Sequence, residues 1–217
     1  MKLVDQTPQG LTAYTCAQLG NLIPDGRDEP MATYIARHQD EALHRLMTSI
    51  DLVRMWRPGE FNYLHSSQYC MYLYLLANTI WRHEKDGAAC TRLFLLNKAL
   101  NGIDLFYEIE MPRIFFIGHS VGIVLAKATY GDFLVLYQNS TVGKNHGDAP
   151  VLGEGVVLYP NTAVIGRSRV GDRTVVSQGT SIINRDTPGD CVAYPAGGGA
   201  LAFKPSKRDV LADIFRL

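Results

Sequence analysis

Residues 152–182 read LGEGVVLYPNTAVIGRSRVGDRTVVSQGTSI, and stepping by six from Leu152 lands on Leu158, Val164, Val170, Val176 and Ile182. Every stop carries a branched aliphatic side chain. Four places after the first five of them stand Val156, Thr162, Ser168, Thr174 and Thr180, all small or β-branched, and Gly153 and Gly171 directly follow an aliphatic position. An α-helix repeats near 3.6 and a lone strand near 2, so a period of six fits neither. It fits short flat strands separated by tight turns and wound into a three-sided coil, with three hexads closing one turn. The aliphatic residue then points inward on each side and the small one fills the corner. The same step joins Val124, Tyr130, Leu136 and Val142, and the interval from Val142 to Leu152 is ten, so about four extra residues protrude near 143–151.

Upstream of Met111 the pattern changes. Residues 1–111 hold both tryptophans and four of the six histidines, and apolar residues recur at three and four in Ala42-Leu43-Leu46-Ile50-Leu52-Val53 and Leu73-Leu75-Leu76-Ile80. That spacing predicts amphipathic helices over about 28–56, 62–84 and 88–104, with a further fragment near the start. Breaks fall at Pro24-Asp25-Gly26, Arg57-Pro58-Gly59 and Lys85-Asp86-Gly87, where the backbone is either restricted or freed. The expected class is α+β, with an α-helical domain over 1–105, a coil of hexapeptide repeats over 106–206, and a short helix in 207–217 closing the open end of the coil.

With 217 residues, 47% of them hydrophobic and 19% charged, the chain can bury a large core and does not read as disordered. Its 21 basic and 21 acidic side chains cancel, so no net field selects nucleic acid or an anionic bilayer. Cys16, Cys70, Cys90 and Cys191 form no C-x-x-C pair; they offer neither a zinc framework nor a disulfide pattern and fit a reducing compartment. The N-terminus lacks the apolar block of a signal peptide, and the most apolar run, Tyr69 to Ile80, is shorter than the ~20 residues of a membrane span. A cytoplasmic location is expected, with no membrane, metal or nucleic-acid partner.

Three segments of this sequence resemble the hexapeptide-repeat acyltransferases, in particular serine O-acetyltransferase and its relatives in polysaccharide gene clusters. His119-Ser120-Val121-Gly122-Ile123-Val124-Leu125 resembles that family's H-x-T-G-I-V-I segment, Leu136 to Gly143 its L-Q-x-V-T-L-G, and Val192-Ala193-Tyr194-Pro195-Ala196 its terminal A-G-x-P-A. Ile80-Trp81-Arg82-His83, Asp86-Gly87 and Phe106-Tyr107-Glu108-Ile109 look like the end of its helical domain. The resemblance covers roughly 70–217. It implies a left-handed parallel β-helix, a homotrimer or a dimer of trimers, and acetyl transfer from acetyl-CoA to a small hydroxyl acceptor, L-serine or a sugar.

Such transfer needs a base for the hydroxyl proton, a donor for the oxyanion and a slot holding both substrates. His119 matches the family's catalytic histidine. Glu108 matches the acid that orients it, although glutamate replaces aspartate, the stretch to His119 is about four residues shorter, and Glu110 competes for the role. His146, in the extra loop, is the counterpart of an acceptor-binding histidine from a shifted position. Gln138 and Tyr137 are candidate contacts to acceptor hydroxyls. For coenzyme A, the resemblance points to Gly143, Tyr159, Ser177, Gln178 and Pro195 at corners or strand ends, and to Lys204 for a phosphate. L-serine is the acceptor the resemblance puts first; the altered 143–151 loop, and Gly118 where the family carries an acidic neighbour, leave a sugar hydroxyl as the alternative. A non-catalytic trimeric scaffold is the alternative from a different class, and a metal hydratase, which needs three convergent histidines, is disfavoured with only His119 and His146 in the repeats.

Overall fold

The computed structural model describes every residue except Arg27, and all side chains except those of Arg27, Asp28 and Glu29. The chain forms two compact units: Met1–Gly102 with Phe106–Glu108, and Ile103–Leu105 with Ile109–Leu217.

In the first unit four helices follow one another: α1 (Pro8–Leu22), α2 (Asp28–Leu52), α3 (Ser66–Glu84) and α4 (Gly87–Asn101). The α3 stretch Ser67 to Ile80 is buried throughout, as expected of a helix that is apolar on all sides and packed among others. Two of its buried polar groups pair with neighbours: Asn97 Nδ2 donates to the Cys70 carbonyl at 3.0 Å and Asn78 Nδ2 to the Tyr107 carbonyl at 2.8 Å. Among the described residues no helix is long and apolar enough to cross a membrane. Local chemistry sets the ends. Thr7 and Asp86 accept from the amides of Gly10 and Ala89 as N-caps, and Gly102 at φ 63° ends α4. That glycine stops α4 three residues earlier than the periodicity suggests, and Asp104–Leu105 is a strand of the second unit. The starts and stops at 66 and 52 likewise fall inside the expected spans.

The second unit is a three-sided coil of parallel strands, the β-helix that the period of six requires. Its first face stacks Phe115–Ile117, Leu134–Leu136, Val157–Leu158, Val175–Val176 and Cys191–Pro195, with Leu201–Pro205 added antiparallel at the edge. The second face stacks Asp104–Leu105, Val124–Leu125, Thr141–Gly143, Ala163–Ile165 and Ser181–Ile183. The third stacks Thr129–Tyr130, Val151–Leu152 and Arg169–Val170, continued by a bridge to Thr187. The residues of the six-step, Leu152, Leu158, Val164, Val170, Val176 and Ile182, are all buried inside. The small corner residues are buried as well, and three of their hydroxyls bond the carbonyl three residues back: Ser140 to Tyr137 at 2.6 Å, Ser168 to Ile165 at 2.9 Å and Thr174 to Gly171 at 2.7 Å. A hydroxyl there satisfies a carbonyl that the turn would leave unpaired, which explains why serine and threonine recur at this register.

Two expectations are corrected. Val124 points outward and is 44% exposed, while Leu125 fills the inward position opposite Val142. The corner between Ile117 and Leu125 is two residues longer than the corner between Leu136 and Val142, and this displaces the register. The C-terminal helix α5 (Val210–Ile214) does not close the open end. After the last strand the chain turns back along the corner between the third and first faces: the Ser206 amide bonds Asp190 O, Arg173 pairs with Asp190 and Asp209, Leu211 lies over Gly155, and Phe215 packs edge-on against Phe133 at 5.4 Å. Its reason is the first face's outer surface. Val135, Val157 and Val175 alternate with the inward residues and are nevertheless buried, so the returning tail covers an apolar side that the coil alone would expose.

Candidate active site

The corner between the first and second faces carries most of the candidate residues. Successive strands end there in Gly118, Tyr137, Tyr159, Ser177 and Tyr194, stacked coil upon coil by amide bonds such as Gly118 N to Leu136 O and Tyr137 N to Leu158 O. Tyr137 and Tyr159 are parallel, with centroids 5.5 Å apart and 9° between planes. Burial raises the Tyr137 phenol above its ordinary value, with Tyr159 adding to the effect, so it stays protonated at neutral pH. His119 follows Gly118 in the longest of these turns; it is exposed, and among the described residues nothing hydrogen-bonds its ring.

The residue before His119 is shaped by this stacking. A Cβ on Gly118 would lie 2.6 Å from Tyr137 Cε1, inside any real contact distance, so the Tyr137 ring occupies the space a side chain at 118 would need. Phe116 meets the same ring edge-on at 6.4 Å. Gln138 comes next on this corner; its Oε1 is shielded from solvent and has no hydrogen-bond donor. The sequence did not show that position 118 and Tyr137 compete for one volume, because the two lie nineteen positions apart and meet only through the coil register.

Tyr159, Ser177 and Lys204 also meet, in a groove of about 410 Å³ between the outer surface of the first face and the returning tail. Val175, Val192 and Val210 form its apolar side, and Lys207 and Arg208 add two cations that sequence reasoning passed over. The only signal for it was the doubled aliphatic pairs on this face. Lys204 Nζ lies 5.1 Å from the centroid of the Tyr194 ring. Gln178 is exposed beside Ser177, and Pro195 ends the last coil strand opposite Leu201.

Gly143 and His146 stand elsewhere. Gly143 is at the far end of the second face, where a Cβ would meet Ile165 Cδ1 at 2.8 Å. His146 is exposed at the tip of a tight hairpin closed by two bonds of 3.0 Å between Asn145 and Asp148, at φ 50° with Gly147 at φ 93°. One copy of the chain therefore holds His119 and His146 on different corners of the prism. Glu108 belongs to the helical unit and Glu110 to the coil unit. Among the described residues no group of three His, Cys, Asp or Glu side chains is arranged to hold a metal ion.

With a helical unit followed by a three-sided coil, the chain resembles serine acetyltransferases. Solved structures bear this out at the level of fold. The chain superposes on serine acetyltransferase from Vibrio cholerae with a TM-score of 0.71 at 15% identity, covering 92% of this chain and 80% of that one. It matches the Neisseria gonorrhoeae enzyme in complex with serine at TM-score 0.67, 16% identity, 93% and 84% coverage. A serine acetyltransferase in complex with CoA matches at 0.68, 16% identity, 91% and 85% coverage. In sequence, a Schizosaccharomyces pombe protein provisionally named as a serine acetyltransferase is 25% identical over 123 residues, 54% of this chain. The chain spans 45% of the length of that relative. No protein-family model matches the chain.

Proposed function

We propose that this protein transfers an acetyl group from acetyl-CoA to an acceptor hydroxyl, with His119 as general base. A ring nitrogen of His119 takes the hydroxyl proton as the oxygen attacks the thioester carbonyl. The tetrahedral intermediate then expels the thiolate, which recovers the proton from the imidazolium, so the C–O bond forms as the C–S bond breaks without an acyl-enzyme. The observation that carries the reading is the exposed, unengaged imidazole of His119 on a lengthened corner, placed on a fold shared with serine acetyltransferases.

The groove at Tyr159, Ser177 and Lys204 suits coenzyme A: its apolar side takes the pantetheine arm, and Lys204, Lys207 and Arg208 supply charge for phosphates. Glu108, or Glu110 in its place, is the group assigned to orient the imidazole. Since His119 and Gly143 with His146 lie on different corners, a trimer that sets one copy's first corner against the next copy's second corner completes the site. Light scattering on the purified protein tests that assembly: a trimer or hexamer is expected, and a monomer active at nanomolar concentration refutes it.

The decisive experiment for the chemistry is coenzyme A release by His119→Ala. Loss of a general base costs about 10²–10⁴ in rate. A rate within about threefold of the parent, ~0.65 kcal/mol, removes His119 from the mechanism and leaves the scaffold reading in its place.

A further inference from the structure

We propose that Tyr137 is a positioning residue for His119. Its ring is the seat on which Gly118 rests, and it acts through that glycine rather than through its hydroxyl. The inference rests on the acetyl-transfer reading above and adds to it the part of this chain that makes the base effective.

The need comes from the turn. The corner holding His119 is two residues longer than the one below Leu136, and the extra length falls outside the parallel ladder, so strand pairing does not fix it. The turn is tied to the next coil by Gly118 N to Leu136 O at 2.8 Å and by Asn139 N to Val121 O at 2.9 Å. His119 stands between these two ties, exposed and, among the described residues, with no hydrogen bond to its ring. A base works only where its nitrogen meets the proton it removes, and a displacement of about 1 Å can cost about 10²-fold in rate.

The seat supplies what the ladder does not. A Cβ on Gly118 would stand 2.6 Å from Tyr137 Cε1 and 2.7 Å from Cδ1, so the bare Cα next to His119 lies directly against the edge of the ring. The ring is itself braced: Phe116 meets it edge-on at 6.4 Å, and Tyr159 stacks on it at 5.5 Å with 9° between planes. The far end of the turn rests the same way. Gly122, at φ +74°, lies over the Asn139 side chain, where a Cβ would overlap Oδ1 and stand 3.1 Å from Cγ, and Asn139 Nδ2 donates to Asn161 Oδ1 at 3.0 Å. His119, Ser120 and Val121 are therefore slung between two glycines, each pressed on a braced side chain of the next coil. Close contact at both ends leaves the turn little lateral play, and position 118 has no room for any other residue while Tyr137 is present.

The test compares Tyr137→Ala, Tyr137→Phe, Gly118→Ala and the double variant Gly118→Ala with Tyr137→Ala, each with the circular dichroism of the parent. Coenzyme A release with L-serine gives kcat and the KM for acetyl-CoA. Proton–carbon NMR of the imidazoles, with His119→Ala assigning the signal, reads the order of the ring independently of turnover. Tyr137→Ala is expected to lower kcat about thirtyfold, to leave the KM for acetyl-CoA within about twofold, and to split or broaden the His119 signal. Tyr137→Phe keeps the ring and recovers both kcat and a single sharp signal. Gly118→Ala, pushed off the ring, loses about as much as Tyr137→Ala. In the double variant the added Cβ has room, so its loss is no greater than that of Tyr137→Ala alone; losses that multiply to about 10³ overturn the shared contact. Tyr137→Phe as impaired as Tyr137→Ala means that the phenol itself acts on substrate and overturns the inference, as does an unchanged His119 signal in Tyr137→Ala. His119→Ala as active as the parent overturns the acetyl-transfer reading instead. In that case, or if serine is not turned over, the His119 signal decides alone: heterogeneous in Tyr137→Ala and Gly118→Ala sustains the seat, and unchanged removes it.

Discussion

Replacing Gly171 with alanine tests how tightly the coils are stacked. A Cβ at Gly171 would stand 2.6 Å from Gly189 N and 2.9 Å from Gly189 Cα in the coil above. Gly153 and Gly131 make the same approach one and two coils below, at 2.8 Å from Asp172 N and 2.5 Å from Gly153 C. The obstacle at Gly171 is backbone, which cannot rotate away, so relief requires the coils to part. Overpacking of this kind costs about 3 kcal/mol. Gly179 is the control. It sits in the left-handed region at φ +73° with nothing within 4 Å of a Cβ, so alanine there costs only the backbone preference, about 1 kcal/mol. For a chain of this length 1 kcal/mol moves Tm by about 2–4 °C, so Gly171→Ala is expected to lower it by about 6–12 °C and Gly179→Ala by about 2–4 °C. Thermal unfolding followed by far-UV circular dichroism reads both, with calorimetry separating the transition of the coil unit from that of the helical unit. Equal shifts in the two variants, or a smaller one for Gly171→Ala, would refute the argument that backbone contact fixes the coil spacing.

Two further outcomes follow. Leu211→Ala removes the side chain that lies over Gly155; a loss of about 2 kcal/mol and increased binding of a hydrophobic dye to the native protein are expected as the buried Val157 side opens, and unchanged dye binding would show that α5 does not cover that face. In the helical unit, the hydrogen bond from His38 and then that from Arg37 hold the Glu84 carboxyl below its usual value. A depressed carboxylate stabilises the fold at pH above its unfolded value and loses that contribution as pH falls through its lower folded one. Melting between about pH 6 and about pH 3 is therefore expected to fall more steeply in the parent than in Glu84→Gln, and parallel curves would remove Glu84 from the acid response.

The coil was legible because its constraint is short-range and periodic. An inward branched residue at every sixth place is imposed by three flat sides, and the corner hydroxyls follow from a carbonyl needing a donor within the same turn. What failed was whatever depends on a lengthened turn or on chain returning from elsewhere. Val124 satisfied the six-step by count, yet two additional residues near His119 and Ser120 moved Leu125 into the inward place. The tail's path was hidden for a related reason. Val135, Val157 and Val175 stand next to inward residues and read as ordinary strand formers, and nothing local says which second surface will cover them. His119, Tyr137, Gln138, Tyr159 and Ser177 were each named from sequence motifs, but their gathering on one corner, apart from Gly143 and His146, is a property of the register alone.

That gathering explains how one repeat can serve three purposes. Apart from the lengthened His119 turn and the hairpin at 145–148, the corners are stacked from turns of similar length, so side chains carry most of the difference between them. On the corner crossed by α5, glycines bring coils to backbone contact and Arg173 ties the tail through Asp190 and Asp209; its chemistry is spent on cohesion. The hairpin corner carries Lys144, Arg167 and Arg185 outward, in position to meet another molecule. The His119 corner alone combines aromatic rings, amides and hydroxyls without a charge, and its coils are held by the Tyr137–Tyr159 stack, by the Asn139 to Asn161 amide bond of 3.0 Å and by the buried Thr162 to Ser140 hydroxyl bond.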